Sequence, residues 1–219
     1  MKDKCNAVII GAGFTGCALA YDLAQRGFNV AVIERGDIAN GTSGRTHGLL
    51  HSGGRYCVTD HEAAVECIEE NITLRKIAKQ CIEFNGGLFV ALDESDVEYG
   101  QEFARGAESS GIPIEFHDNK QLLALEPQLN PAIICGYSVP DGAFDPLRLA
   151  LAFAASAVKF GAKFYTYHEV TGFDIDGQRE LSGIQTVDRH TGQRITFPGD
   201  ITINATGAWA GKIAALAEI

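Results

Sequence analysis

An α/β fold wound on a parallel sheet is the expectation from this sequence, and three observations carry it. A short apolar run, Ala7-Val8-Ile9-Ile10, stops abruptly at Gly11. A helical stretch from Phe14 to Arg26 ends at Gly27, and a second β-branched run spans Asn29 to Ile33. Strand, helix and strand within about 30 residues form a βαβ unit, which closes right-handed onto parallel strands. A chain of 219 residues, 46% apolar and 21% charged, suits one full domain and part of another.

Taken in order, the first strand is expected over residues 5–10, as a continuous apolar run. The helix 14–26 has Gly27 as its stop signal, and the second strand covers 29–33. From Gly36 to Tyr56, six glycines (36, 41, 44, 48, 53 and 54) break every period. A loop that long is functional or disordered, and Leu49, Leu50, Tyr56 and two histidines argue for order. Thr59-Asp60-His61-Glu62 offers a capping box for a helix from about 60 to 82, with Val65, Ile68, Ile72 and Ile77 at helical spacing. After Gly86-Gly87 come a strand at 88–92, a helix at 95–110, a strand at 113–117, a helix at 119–125 and a strand at 133–139. Pro140-Asp141-Gly142 reads as a turn, and Asp145-Pro146 opens a helix that reaches about Phe160. Strands at 163–167, 169–175, 182–189 and 193–197 follow without helices, with His190-Thr191-Gly192 as a hairpin turn. A last apolar strand at 201–205 leads through Thr206-Gly207 into a helix with no stop signal before Ile219, as expected of part of a larger protein.

Charge and cysteine usage narrow the function classes. Eighteen Lys and Arg against 28 Asp and Glu give a net charge of −10. That leaves no source for the phosphate neutralisation behind nucleic-acid binding, and argues against a polybasic membrane contact. Cysteines at 5, 17, 57, 67, 81 and 135 form no CxxC, so zinc-ribbon and cluster spacings are absent. They read as core residues or idle thiols of a cytosolic protein. The apolar start is too short for a signal peptide, and no stretch approaches the ~20 apolar residues of a membrane span. Without such a signal, the sequons at Asn40, Asn71 and Asn204 are taken as chance. His47 and His51 stand four apart but lack an acidic third ligand, so no metal is expected.

Gly11-Ala12-Gly13-Phe14-Thr15-Gly16 is a GxGxxG between the expected strand and helix. In that context Gly11 permits the tight turn, Gly13 lets a pyrophosphate reach the backbone, and Gly16 lets helix and strand pack closely. The helix N-terminus offers free N–H groups and partial positive charge. Glu34 ends the second strand 21 residues after Gly13, where an acid binds the adenosine ribose hydroxyls. Together these point to a dinucleotide. Glu34 disfavours a 2′-phosphate, while Arg35 keeps NADP in view. A plain NAD dehydrogenase would continue in regular βα units rather than insert the long loop.

Further motifs sharpen the reading. Glu34-Arg35-Gly36, Gly41-Thr42-Ser43-Gly44-Arg45, the run from His47 to Tyr56, Val139-Pro140-Asp141-Gly142 with Asp145-Pro146, and Asn204-Ala205-Thr206-Gly207-Ala208-Trp209 resemble FAD-dependent glycerol-3-phosphate dehydrogenases. These are D-amino-acid-oxidase-like flavoproteins, and the match is to the N-terminal portion of the A-type subunit in the anaerobic branch. The resemblance implies a Rossmann-like FAD-binding domain of glutathione-reductase type, with an antiparallel β insert and part of an α+β substrate domain. Residues 1–85 and 141–219 would form the first, and 86–140 belong to the second. By the same resemblance Gly11, Gly13 and Gly16 hold the FAD pyrophosphate, and Glu34 the adenosine ribose, with Arg35 at the same site. Thr42, Ser43, His47, Leu49 and Leu50 line the pyrophosphate and isoalloxazine, Val170 meets adenine through its backbone, and Gly207 returns beside the cofactor.

The resemblance also places His51 near flavin and substrate. There a neutral imidazole takes the C2-hydroxyl proton, or serves only as a hydrogen-bonding group. Arg55 would grip the substrate phosphate with its planar guanidinium, and Arg45 is a weaker candidate. The implied activity is oxidation of sn-glycerol 3-phosphate to dihydroxyacetone phosphate, by hydride transfer to flavin N5. Electrons would pass through membrane-associated partner proteins to a quinone-linked acceptor, from an enzyme in the cytoplasm or peripheral at the inner membrane. Two alternatives stay open. Arg55 serves a carboxylate as well as a phosphate, so a 2-hydroxy acid such as L-2-hydroxyglutarate is a rival substrate. An inert FAD-binding fragment is the other, because the family's later segments lie beyond Ile219.

Overall fold

The computed structural model describes residues 6–175 and 180–218. Cys5, expected to open the first strand, and Ile219, expected to end the last helix, lie outside them. Along the chain run β1 (Asn6–Ile10), α1 (Phe14–Gln25), β2 (Asn29–Ile33), a 3-10 turn at Thr42–Arg45, β3 (Leu49–Leu50) and α2 (His61–Ile77). Then come β4 (Ile82–Glu83), β5 (Gly87–Ala91), α3 (Glu94–Ser109), β6 (Glu115–Asp118), α4 (Asn119–Leu125), β7 (Cys135–Val139) and β8 (Gly142–Phe144). The chain continues with α5 (Pro146–Lys159), β9 (Lys163–Tyr165), β10 (His168–Ile175), β11 (Leu181–Asp188), β12 (Arg194–Pro198), β13 (Ile201–Asn204) and α6 (Ala210–Leu216). The residues up to His47 and those from Pro146 onward form one compact unit, and Gly48–Asp145 the other. The sequence places the boundaries between FAD and substrate domains at 85/86 and 140/141, whereas the compact units part at 47/48 and 145/146.

The first unit is built in three layers on a parallel sheet of order β13-β1-β2-β9. Alternation along the strands sorts its core. Ile9, Val30 and Val32 point to one face, where α1 and α5 pack with Cys17, Ala20, Ala24, Ala154 and Ala157. Small side chains at these positions let both helices come close to the sheet. Val8, Ile10 and Ile33 point to the other face, against Val170, Ile184 and Phe197 of the antiparallel sheet β10-β11-β12. Burying each Val or Ile contributes roughly 1.5–3 kcal/mol. Helices, parallel sheet and antiparallel sheet stacked in that order make the Rossmann-like architecture with its antiparallel insert.

The second unit holds the antiparallel sheet β5-β7-β6 and the small sheet β3-β8-β4. Its core gathers Cys57, Ala64, Ile68, Phe103, Ala107, Ile112 and Val139. Three helices start on carboxylate caps, at Asp60, Asp93 and Asp118. Asp60 is therefore the cap of α2, not the expected Thr59: its side chain accepts from Ala63 N–H at 3.1 Å. The expected helix 60–82 also stops early. After Ile77 the chain turns through Lys79–Cys81 into β4, because Ile82 is drawn into a ladder with Phe144 of β8. Apolar spacing runs on through Cys81 and Ile82, so periodicity could not mark that end. The three-residue β8 went unforeseen for the same reason that the loop concealed β3: each is too short to show a period.

Candidate functional site

A cleft of about 1050 Å³ opens in the first unit at the C-terminal ends of β1 and β2. It brings together Gly11, Gly13, Glu34, Arg35, Thr42, Ser43, Val170 and Gly207, from well-separated stretches of chain. The N-terminus of α1 faces it with no acidic residue in the first turn and no side-chain cap at Gly13. Phe14 N–H instead donates to Ser43 Oγ at 3.0 Å. A Cβ on Gly13 would come 2.8 Å from Ser43 Oγ, filling the cradle over those N–H groups. A helix terminus with no acid in its first turn favours an anion such as a pyrophosphate, beside the Ser43 hydroxyl that Phe14 N–H meets. Gly16 does not line the cleft. A Cβ there would lie 1.9 Å from the Gly11 carbonyl, so its role is the close seating of α1 on β1.

Glu34 sits just past β2, half-buried, with both oxygens engaged. Oε2 accepts from Ala12 N–H at 2.9 Å and Oε1 from Gly36 N–H at 2.8 Å. The carboxylate is thus held rigidly at the cleft wall, each oxygen retaining acceptor capacity for a ribose hydroxyl. Its charge reaches the core: the Cys17 thiol is pushed up to about 12 by burial first and by Glu34 second. A fixed negative charge here opposes a 2′-phosphate, which leaves the dinucleotides without one. Arg35 does not point its charge at such a group; its guanidinium lies 4.3 Å from the Trp209 ring centroid. Arg45 donates to the Asn40 and Gly41 carbonyls, tying down the turn that carries Thr42 and Ser43.

The second unit holds the histidine site. His51 follows β3, and Asp141 precedes β8, its partner in the ladder Leu49–Ala143 and Leu50–Gly142. That pairing sets His51 Nδ1 3.1 Å from Asp141 Oδ2. Asp141 Oδ1 accepts from both Ser52 N–H, at 2.7 Å, and Ser52 Oγ, at 2.6 Å. Asn71, buried on α2, donates to the His51 and Pro140 carbonyls at 3.2 Å each. Arg75, one turn on, donates to the Pro140 carbonyl at 2.7 Å, to that of Asp141 at 2.9 Å, and to Asn71 Oδ1 at 2.6 Å. Two residues of one helix therefore clamp the two loops that carry the His–Asp pair. Arg55 stands exposed beyond Ser52-Gly53-Gly54, its guanidinium 5.3 Å from the Tyr56 ring centroid. Leu49 is exposed and Leu50 half-buried on β3, and His47 is exposed at the end of the first unit's opening segment. Asp141, Asn71, Arg75 and Trp209 hold positions at these sites that the sequence alone did not reveal. Asp141 and Trp209 stood inside the family's motifs, where Asp141 read as a turn residue, and Asn71 stood only in a sequon taken as chance.

A family model described as FAD dependent oxidoreductase matches residues 6–219. The A1 component of anaerobic glycerol-3-phosphate dehydrogenase from Haloferax volcanii is 43% identical over the whole chain, which covers 39% of that protein. The A component of the anaerobic glycerol-3-phosphate dehydrogenase from Escherichia coli K12 is 44% identical over the whole chain, covering 40% of it. The chain thus spans about 40% of the length of these relatives. Among solved structures, L-proline dehydrogenase from P. horikoshii superposes with a TM-score of 0.76 at 28% identity, over 100% of this chain and 57% of its own. Sequence, three-layer fold and glycine-lined cleft agree throughout the described residues: the chain belongs to the FAD dependent oxidoreductase family.

Proposed function

We propose that this chain holds FAD in the Glu34 cleft and handles a substrate proton through His51, as part of an enzyme that oxidises sn-glycerol 3-phosphate to dihydroxyacetone phosphate. The observation that carries the reading is Glu34, fixed by two backbone N–H groups at the wall of a cleft onto which a helix N-terminus without acids opens. Gly13 and Ser43 take the pyrophosphate, Glu34 the adenosine ribose, and the backbone at Val170 the adenine. When bound, FAD supplies a hydride acceptor at N5. His51 accepts the C2-hydroxyl proton as the alcohol carbon is oxidised, and Arg55 binds the phosphate by its two-pronged guanidinium. Two relatives named for glycerol-3-phosphate dehydrogenase support this choice of substrate. Each of them is named as one component of a larger enzyme, which supports further partner chains; these, we infer, carry electrons to a quinone-linked acceptor. Among the described residues no helix is long and apolar enough to cross a membrane. In this reading any membrane contact is peripheral and runs through the partner chains.

The test is the visible spectrum of the purified chain reconstituted with FAD, then mixed anaerobically with glycerol 3-phosphate or L-2-hydroxyglutarate. Retained flavin bands that bleach with glycerol 3-phosphate alone support the whole reading. Bleaching by the hydroxy acid instead reassigns the substrate. Flavin that is retained but never bleaches assigns turnover to the remaining length of the relatives, and no retained flavin overturns the proposal.

A further inference from the structure

We propose that Asp141 is a positioning residue that fixes the tautomer of His51, holding the ring proton on Nδ1 so that Nε2 is the basic nitrogen. Its catalytic consequence rests on the function proposed above; the tautomer itself does not. His51 Nδ1 faces Asp141 Oδ2 at 3.1 Å, and an ionised carboxylate only accepts hydrogen bonds. The nitrogen that meets it must therefore be the protonated one. Which ring nitrogen carries the proton is set in general by the bond the other makes.

Three features make Asp141 more than a chance neighbour. Its second oxygen, Oδ1, is locked by two donors of Ser52, the backbone N–H and the hydroxyl, so the carboxylate cannot rotate away. Ser52 is fully buried and Asp141 nearly so, which keeps most water off the carboxylate, while the His51 side chain stays partly exposed. The backbone on both sides of the pair is clamped from α2, by Asn71 on the His51 carbonyl and by Arg75 on the Asp141 carbonyl. The Arg75 guanidinium is itself seated 4.7 Å from the Phe84 ring centroid. With Nδ1 held on Asp141 the imidazole keeps one ring orientation.

The Ser52 donors make the test sharp. In Asp141→Asn the side-chain carbonyl stays on Ser52, because both of its donors need an acceptor. The amide NH2 then faces His51 and can only donate. His51 Nδ1 must become the acceptor, and the ring proton moves to Nε2. The experiment is NMR of the full chain with 15N-labelled histidine in mildly alkaline buffer, the His51 signals assigned by comparison with His51→Gln. Protonated and unprotonated ring nitrogens resonate far apart, so each tautomer has its own signature. The wild type is expected to carry its proton on Nδ1 and Asp141→Asn on Nε2, a complete exchange of the two signals. A wild type protonated at Nε2 overturns the proposal whether or not any variant folds. So does a folded Asp141→Asn that keeps its proton on Nδ1. The measurement needs no cofactor: failure to bind FAD sinks the proposed function, and a wrong tautomer sinks only this inference.

Discussion

Replacing Glu34 by Gln probes the cleft with almost no change in size. The carboxylate accepts from Ala12 N–H at 2.9 Å through one oxygen and from Gly36 N–H at 2.8 Å through the other. A glutamine amide has one accepting atom, so one of the two N–H groups meets an NH2 and loses its partner. Leaving such a donor unsatisfied costs about 1–3 kcal/mol. In a chain of this size that lowers the melting midpoint by roughly 2–12 °C. The cofactor also loses a charge-assisted acceptor for its ribose hydroxyls, about 1.5–3 kcal/mol, which weakens FAD by about 10–150-fold. Scanning calorimetry with and without FAD reads both effects. At a concentration 100 times the wild-type Kd, FAD stabilises the wild type by about 2.7 kcal/mol. At that same concentration the variant gains only about 0.3–1.4 kcal/mol, by the same mass-action relation. A Glu34→Gln chain that melts with the wild type and gains as much from FAD refutes the assignment of this carboxylate to the ribose.

Further outcomes follow from other residues. Gly16→Ala sets a Cβ 1.9 Å from the Gly11 carbonyl, a backbone atom that cannot step aside, so the variant should lose about 3 kcal/mol or more. Gly211→Ala, on α6 with open space around it, should instead gain up to about 1 kcal/mol, and thermal melts of the two check the contrast. Cys17 should resist iodoacetamide in the folded chain at mildly alkaline pH yet react in urea, as peptide mass spectrometry would read. Its folded-state thiol holds its proton up to about 12, above the ordinary 9.0. Its contribution to stability is therefore complete below about pH 9 and fades as pH climbs toward 12. Trp209 is the sequence's single tryptophan and lines the cleft against Arg35, so FAD titration should quench its emission in step with flavin binding. Unchanged emission at saturating FAD would remove Trp209 from the cofactor's surroundings.

Much of the first unit was legible in the residues because its signals are local. Ala7 to Ile10 form an unbroken apolar run because both faces of β1 are covered, one by α1 and α5 and the other by the antiparallel sheet. Gly11, Gly13, Gly16 and Glu34 lie within 24 residues of one another, in a βαβ unit whose geometry is largely dictated by right-handed closure. The cleft could thus be drawn from one stretch of chain before its far walls were known.

The histidine site belongs to the opposite case. His51 and Asp141 are 90 positions apart, and nothing in either neighbourhood names the other. They meet because a two-residue strand pairs with a three-residue one, and because Asn71 and Arg75 reach both loops from a helix whose own pattern shows only an apolar face. Arg35 and Trp209 meet in the same way, from two ends of the cleft. Periodicity and turn chemistry act over a few residues, so they specify strands, helices and the glycine-rich turn. Register between distant strands depends on how whole faces pack together, and that packing is what brings a carboxylate to a histidine.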